Sequence, residues 1–99
     1  MTSKERALLR GIASTADTVI IVGKSGITET LVAETENALR THELIKGRVL
    51  ENSGFTAREA CDALAEATKA ESVQVIGSKF VLYKANPKLP EEKRIDLRR

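Results

Sequence analysis

The sequence predicts one α/β domain in which helices and strands follow the order αβαβαββ around a four-stranded mixed sheet packed by helices. The 99-residue chain is long enough for one domain with a modest core. Helix-capping patterns alternate along it with short runs rich in β-branched residues. A two-residue turn, Gly77-Ser78, joins the last two runs and makes those strands antiparallel, whereas helices connect the earlier ones.

The first helix is predicted to begin after Thr2 and to end near Ala13. Thr2 and Glu5 form a capping-box pattern, and apolar residues follow at helical spacing. The next run, Thr18 to Val22, has no polar residue after Thr18 and is largely β-branched. Such a run is typical of a strand covered by helices on both faces, so we expect a central strand of the sheet.

Thr28 is the predicted N-cap of a second helix that reaches about Thr41. His42 ends that helix; as the only histidine, it has no second His or Cys with which to share a metal, and an interaction with the helix dipole is expected instead. The segment from Leu44 to Leu50 then alternates as a strand does. Its alternation places Lys46 and Arg48 on the same face.

A third helix and a hairpin complete the predicted domain. Thr56 and Glu59 form a second capping box, and Cys61 lies on the apolar stripe of the helix that follows. We interpret Cys61 as a small core residue, because that stripe carries no His or basic neighbour that would lower its pKa. Residues 72–76 and 79–84 are the two predicted hairpin strands.

The stretch VIIVGKSGIT, Val19 to Thr28, is the candidate functional element. Gly23 and Gly26 allow positive φ and close approach of a ligand, and the helix start that follows favours an anion. A nucleotide P-loop is excluded, because Thr18 stands where that motif requires its first glycine. The competing interpretation is an ordinary turn between a strand and a helix.

Charge is distributed unevenly along the chain, whose net charge is +2. Residues 1–28 carry four basic and two acidic side chains, residues 29–71 five and nine, and residues 72–99 seven and three. Basic ends around an acidic middle are what a polyanion-binding surface opposite a solvated acidic surface would produce.

Composition excludes several classes of protein. With only three aromatic residues, Phe55, Phe80 and Tyr83, base stacking cannot dominate a nucleic-acid contact. One cysteine excludes an internal disulfide and a cysteine-based metal site. No apolar stretch is long enough for a membrane span or a signal peptide, so we expect a soluble cytoplasmic protein without cofactors.

Three motifs in this order, VGKSGITE, HELIKGRV and VQVIGSKFVLYK, resemble the bacterial single-domain CRM proteins (chloroplast RNA splicing and ribosome maturation), known as YhbY-like proteins. The likeness runs from the first helix to about Lys84, which divides the chain into a CRM-like RNA-binding domain, 1–84, and a basic C-terminal tail, 85–99. The resemblance implies a fold similar to the C-terminal domain of bacterial translation initiation factor three.

The resemblance also implies a role with RNA. Bacterial members associate with precursors of the large ribosomal subunit, and the G-x-x-G loop of the family is compared with the loop of KH domains that clamps an RNA backbone. The implied RNA-binding residues are the loop and two neighbouring cations: Gly23, Lys24, Ser25, Gly26, Lys46 and Arg48. The family usually has a β-branched residue at position 47, so Gly47 is expected to weaken its strand or to mark a bulge.

The leading hypothesis is a non-enzymatic, monomeric RNA-binding protein that helps to assemble the large subunit by holding its ribosomal RNA. The basic residues of the first helix, Lys4, Arg6 and Arg10, would meet that RNA or solvate the helix. The tail is expected to be mobile or to lie along the surface, and to add RNA affinity rather than stability.

The alternative is a small protein-interaction adaptor that uses its acidic helices or the exposed hairpin edge. An enzyme is disfavoured, because the sequence offers no nucleophile–base or acid–base pair, and we expect no small-molecule substrate, metal or membrane partner.

Overall fold

A computed structural model describes residues 1–97, and it confirms the order αβαβαββ. Short 3₁₀ turns are present as well at Glu51–Ser53 and Glu91–Lys93. The helices and strands have the following bounds: α1 Ser3–Ala13, β1 Thr18–Val22, α2 Glu29–His42, β2 Leu44–Val49, α3 Ala57–Thr68, β3 Glu71–Ile76 and β4 Lys79–Tyr83.

Side-chain caps fix the starts of the helices where the sequence predicted them. Thr2 and Glu5 exchange two hydrogen bonds, Thr2 N–H to Glu5 Oε1 at 2.8 Å and Glu5 N–H to Thr2 Oγ1 at 3.1 Å. Thr56 and Glu59 repeat this box at α3. Each box satisfies backbone donors that a helix start otherwise leaves without partners, so the three-residue spacing determines where the helix begins.

The strands form one mixed sheet in the order β1–β2–β4–β3, with β1 and β2 parallel and the other neighbours antiparallel. The prediction that β1 is central is therefore wrong, because β1 is an edge strand. Ile20 and Val22 are buried, whereas Val19 and Ile21 are each 49% exposed. An apolar run predicts a strand but not how many neighbours the strand has, and here only one of its faces is fully covered.

Two helices cover one face of the sheet and one helix covers part of the other. α2 and α3 pack on the first face, which we call the α2–α3 face; its buried strand residues are Ile20, Val22, Ile45, Val49, Phe80 and Leu82. α1 packs on the second, the α1 face, where Leu9 and Ala13 contact Leu44, Val81 and Tyr83.

α1 ends at Ala13 and leaves one end of the α1 face uncovered. We call this region the open sheet face; its residues are Ile21, Lys46, Arg48, Gln74, Ile76 and Lys79.

Gly47 makes room for a ring. It pairs with Phe80 across β2 and β4, and a Cβ atom at position 47 would overlap the Phe80 ring. The pairing of β2 with β4 is regular through this point, so Gly47 marks no bulge there. One register shift lies in β1, between Thr18 and Ile20, opposite Lys46 and Gly47, and a second lies in β3, between Ser72 and Gln74.

The tail is docked in the described residues rather than mobile. Ile95 and Leu97 pack against the cluster formed by α1 and the α1 face. Glu43, which follows α2, is 0% exposed, and its carboxylate accepts hydrogen bonds from the backbone N–H of Asn86 at 2.6 Å and of Ile95 at 2.7 Å. Arg94 adds an ion pair, Nε to Glu43 Oε2, at 3.5 Å.

A buried carboxylate thus ties the tail to the end of α2. The backbone at Glu43 reinforces the connection, because its carbonyl accepts the Lys84 N–H at 2.8 Å as the chain leaves β4. These contacts contradict the expectation that the tail does not support the fold, whereas its contribution to RNA affinity stays a prediction. Arg98 and Arg99, two of the basic tail residues, lie outside the described part of the chain.

Cys61 is fully buried in the core beneath the α2–α3 face, as predicted. Burial raises the pKa of its thiol, and the hydroxyl of Ser72, 3.2 Å from the sulfur, only partly opposes that effect. The thiol therefore stays protonated at neutral pH and is shielded from reagents. None of the helices in residues 1–97 combines the length and the apolar character needed to cross a lipid bilayer.

Candidate nucleic-acid interface

The segment Gly23–Gly26 is a tight turn that follows β1 directly. The N–H of Gly26 donates to the carbonyl of Gly23 at 2.9 Å, so Lys24 and Ser25 occupy the two central positions, and both are exposed. Gly26 has a φ of +70°, in the region that favours glycine, whereas Gly23 is not among the residues with positive φ. The expected glycine conformation is thus found at Gly26 alone.

The Phe55 ring packs against this turn. A Cβ atom at Gly26 would lie 2.9 Å from Cε2 of Phe55, so the ring contacts the glycine backbone and leaves no space for a side chain. The buried Ser53 hydroxyl holds Phe55 in place by accepting its backbone N–H at 3.1 Å. Gly26 is therefore constrained twice, by its φ and by the ring.

The start of α2 closes the other side of the turn. Thr28 caps the helix by accepting the Leu31 N–H at 3.0 Å, and Glu29 is its first residue. α2 therefore begins three residues after Gly26, and its N-terminal end, which carries a partial positive charge, lies close to the turn in the chain.

Lys46 and Arg48 both lie on the open sheet face, as their alternation predicted. Arg48 pairs with Ile21 of β1, two residues before the turn begins at Gly23. Lys46 lies two residues farther along β2, which is about 7 Å at strand spacing. The structure therefore places Arg48 beside the turn and Lys46 one row farther away.

Sequence reasoning missed Lys79 and left Arg10 undecided. Lys79 lies directly opposite Arg48 across β2 and β4, and Arg10 borders the same depression of the α1 face as Lys46 and Lys79. Within residues 1–97 none of these four cations has a hydrogen-bonding or ion-pair partner. The positive charge of each residue is evident from the sequence, but their proximity to one another depends on strand register.

Three other cations serve the fold. Arg6 donates to the backbone carbonyls of Ser72 and Val73, so the expectation that it meets RNA or solvates the helix is wrong. Lys84 donates to the Thr68 carbonyl at 2.8 Å at the end of α3, and Arg94 pairs with Glu43. The α1 helix turns Arg6 toward β3, which the helical spacing of its apolar residues could not indicate.

Chemistry that would suggest an enzyme is not assembled in the described residues. His42 is exposed at the last residue of α2, and Cys61 is buried with its pKa raised. Within residues 1–97 no group of three or more His, Cys, Asp or Glu side chains could hold a metal ion. What the surface does offer is an exposed backbone turn beside unpaired cations, an arrangement suited to phosphate groups.

Comparison with known proteins gives a consistent result. The family model described as the CRS1/YhbY (CRM) domain matches residues 1–84. A Haemophilus influenzae protein named RNA-binding protein is 38% identical over 99 residues, which cover 100% of this chain and 96% of the relative. A Bacillus subtilis protein named probable RNA-binding protein is 33% identical over 97 residues, covering 98% of each.

A solved structure shares the fold. The solution structure of a hypothetical Staphylococcus aureus protein, described as a candidate RNA-binding protein, superposes with a TM-score of 0.76 and 37% sequence identity. The match covers 92% of this chain and 95% of that one. The α/β fold and its four-stranded mixed sheet are therefore shared with a relative along nearly the whole chain.

Proposed function

Because the chain belongs to the CRS1/YhbY (CRM) domain family, we propose that it is a cytoplasmic, monomeric, non-enzymatic RNA-binding protein that assists assembly of the large ribosomal subunit. Its RNA partner would be ribosomal RNA of the large (50S) subunit precursor, as the resemblance to bacterial members implies. The relatives are named as RNA-binding proteins, which supports RNA as the partner but does not identify which RNA is bound.

The observation that carries the proposal is the exposed Gly23–Gly26 turn beside the unpaired Arg48 and Lys46. In this proposal, the exposed backbone of Lys24 and Ser25 at the centre of the turn lies against an RNA phosphate, and the Lys24 side chain neutralises that phosphate. Gly26 provides the positive φ of the turn, with the Phe55 ring where its side chain would be. Arg48 and Lys46 hold the phosphates that follow along the sheet. Contacts of this kind position RNA and depend on salt, but they carry little sequence information.

The decisive variant changes Lys24 and Ser25 together to Asp and keeps both glycines. The change lowers the local charge by three units at two exposed positions, where substitutions typically alter stability by about ±0.5 kcal/mol. Affinity for transcripts of large-subunit ribosomal RNA should fall at least about ten-fold at 0.1 M salt, while the protein still unfolds cooperatively. Undiminished binding, with normal co-sedimentation with large-subunit precursors, would mean that the segment is only a turn.

A matched pair of charge reversals tests the sheet cations. Changing Lys46 and Arg48 to Glu should weaken RNA binding far more than changing Arg58 of α3 and Lys69, the C-cap residue of α3, to Glu; both are exposed and neither belongs to the open sheet face. Both variants alter the net charge by the same amount, so filter-binding curves at one salt concentration compare them directly. Equal losses would indicate diffuse attraction and would contradict the proposed interface.

A protein-interaction adaptor is the second candidate, and one observation favours it. The edge strand β1 exposes Val19 and Ile21, and an unpaired strand edge can accept a strand from a partner. The two functions differ in their dependence on salt. RNA affinity held by phosphate contacts falls steeply between 50 and 200 mM salt, whereas strand pairing through backbone hydrogen bonds changes little.

A further inference from the structure

We propose that the open sheet face holds a second RNA subsite, which takes one unstacked nucleotide of a single-stranded segment. The inference rests on the proposed RNA-binding function and adds to it a site for a base, separate from the Gly23–Gly26 turn. The turn and the open sheet face lie at the same end of the sheet, so one RNA strand can reach both.

Strand pairing arranges the open sheet face in two rows. In the row nearer the turn, Ile21, Arg48, Lys79 and Ile76 follow one another across the four strands. In the next row, Lys46, Val81 and Gln74 do the same across three strands. Neighbours within a row are about 4.8 Å apart and the rows about 7 Å, so cations, an amide and apolar side chains share an area of nucleotide size.

A cavity of about 310 Å³ opens between these rows and the end of α1. Its lining combines the cations Arg10, Lys46 and Lys79 with the amide of Gln74 and the apolar Ile76. No carboxylate is among the described residues that line it. The cavity therefore has the charge to hold a phosphate and an apolar floor against which a base can lie.

Gln74 supplies the group that can recognise a base. Its half-buried side chain has no hydrogen-bonding partner within residues 1–97, so both its amide donor and its carbonyl acceptor are available. Such an amide can pair with the edge of a base, as single-stranded RNA recognition requires. Because no exposed aromatic side chain lines the cavity, selectivity there depends on this amide rather than on stacking.

The pairing of Arg48 with Lys79 is a second, independent indication that the open sheet face binds an anion. Like charges placed directly opposite each other in a sheet are destabilising, and nothing among the described residues neutralises this pair. A phosphate between them would remove the repulsion. The protein thus keeps an arrangement that lowers its stability when free and favours a polyanion when bound.

Nuclear magnetic resonance can test the subsite directly, because Gln74 is the only glutamine in the chain. The probes are four single-stranded RNA hexamers, each made of a single kind of base, and a short RNA duplex. Each is added separately to ¹⁵N-labelled full-length protein. We expect the Gln74 side-chain amide signals to shift with at least one hexamer and not with the duplex. Signals that stay unmoved while the turn residues shift would overturn the subsite and leave the proposed function standing.

Two variants measure the contributions of the subsite. Gln74→Leu should reduce the affinity ratio between the best and the worst hexamer about three- to ten-fold, the value of one hydrogen bond, with little change in the salt slope. Lys79→Gln should lower that slope by about 0.7 and leave the protein at least as stable as the parent. Lys69→Gln, at the exposed C-cap of α3, is the matched control and should change neither quantity.

The outcomes separate the two proposals. If no hexamer and no ribosomal transcript binds the parent protein, the proposed function fails and the subsite with it. If RNA binds but Gln74→Leu keeps the full preference among hexamers, the base is held elsewhere and only the subsite is refuted. Equal shifts of the Gln74 signals with inorganic polyphosphate would show attraction of any polyanion and would likewise refute it.

Discussion

Replacing Glu43 by Gln should destabilise the protein severely, although the change keeps the size and shape of the side chain. The two carboxylate oxygens of Glu43 accept backbone N–H groups from separate parts of the tail, Asn86 on Oε2 and Ile95 on Oε1. A glutamine has only one acceptor oxygen, so one of these N–H groups must face the NH₂ of the amide instead. The side chain is 0% exposed, and water cannot easily substitute.

The expected magnitude follows from these contacts. A hydrogen bond to a charged group contributes roughly 1.5–3 kcal/mol, and a buried donor left without an acceptor costs about 1–3 kcal/mol. The ion pair with Arg94 adds little, because that side chain is 37% exposed. We therefore expect a loss of about 3–5 kcal/mol, which lowers the melting temperature by at least about 10 °C in a domain of this size.

Urea denaturation followed by circular dichroism measures the loss. Glu34→Gln, an exposed position on the same helix, is the matched control and should stay within about 0.5 kcal/mol of the parent. Hydrogen exchange adds a local measurement, because the amides of Asn86 and Ile95 should be protected in the parent and exposed in Glu43→Gln. A loss below about 1 kcal/mol, or unprotected amides in the parent, would refute the role of Glu43 in holding the tail.

Three further predictions follow from the fold. Deleting Leu89 to Arg99 should lower the melting temperature, because it removes one backbone donor to Glu43 together with apolar contacts; an unchanged value would show that the tail does not support the fold. Gly47→Ala should cost about 1–3 kcal/mol by overlap with Phe80, and Phe80→Leu should recover part of it in a double-mutant cycle, whereas strictly additive losses would contradict the contact. Stability should fall as pH rises above about 8.5, because burial raises the pKa of Cys61 and of Tyr83 and the unfolded chain releases these protons first; Cys61→Ala should flatten the first part of this decline, measured as urea midpoints from pH 7 to 11.

The features that the sequence predicted correctly are those that depend on residues close together in the chain. A capping box joins residues three apart, as at Thr2 and Glu5, so the helix starts were visible in the sequence. The Gly77-Ser78 hairpin and the exposed Lys24-Ser25 turn are equally local. For the same reason the candidate loop could be found from its glycines, although only Gly26 adopts positive φ.

The features that it missed depend on strand order and register. The apolar residues of β1 predict a buried central strand. Whether a strand lies at the edge of a sheet, however, is decided by which strands pair with it and not by its composition. Gly47 is explained only by Phe80, more than thirty residues away and directly opposite in the sheet. The tail shows no apolar periodicity, and its docking depends on a single buried carboxylate that the sequence does not distinguish from the exposed glutamates of α2.

The surroundings of the cations could not be predicted from the sequence either, because they depend on strand register and helix packing. By sequence, Lys79 is one of several lysines near a turn, and Arg6 and Arg10 are equivalent residues of one helix. Register places Lys79 opposite Arg48, and within residues 1–97 neither has an ion-pair partner, while helix packing directs Arg6 toward backbone carbonyls and Arg10 to the edge of the cavity. Because like charges opposite each other weaken a sheet, their persistence without a partner is more informative than the net charge of +2. Lys24, Arg48 and Lys79, which lack side-chain partners within residues 1–97, lie together at the end of the sheet where the Gly23–Gly26 turn lies, and this convergence favours a bound polyanion over a merely solvated surface.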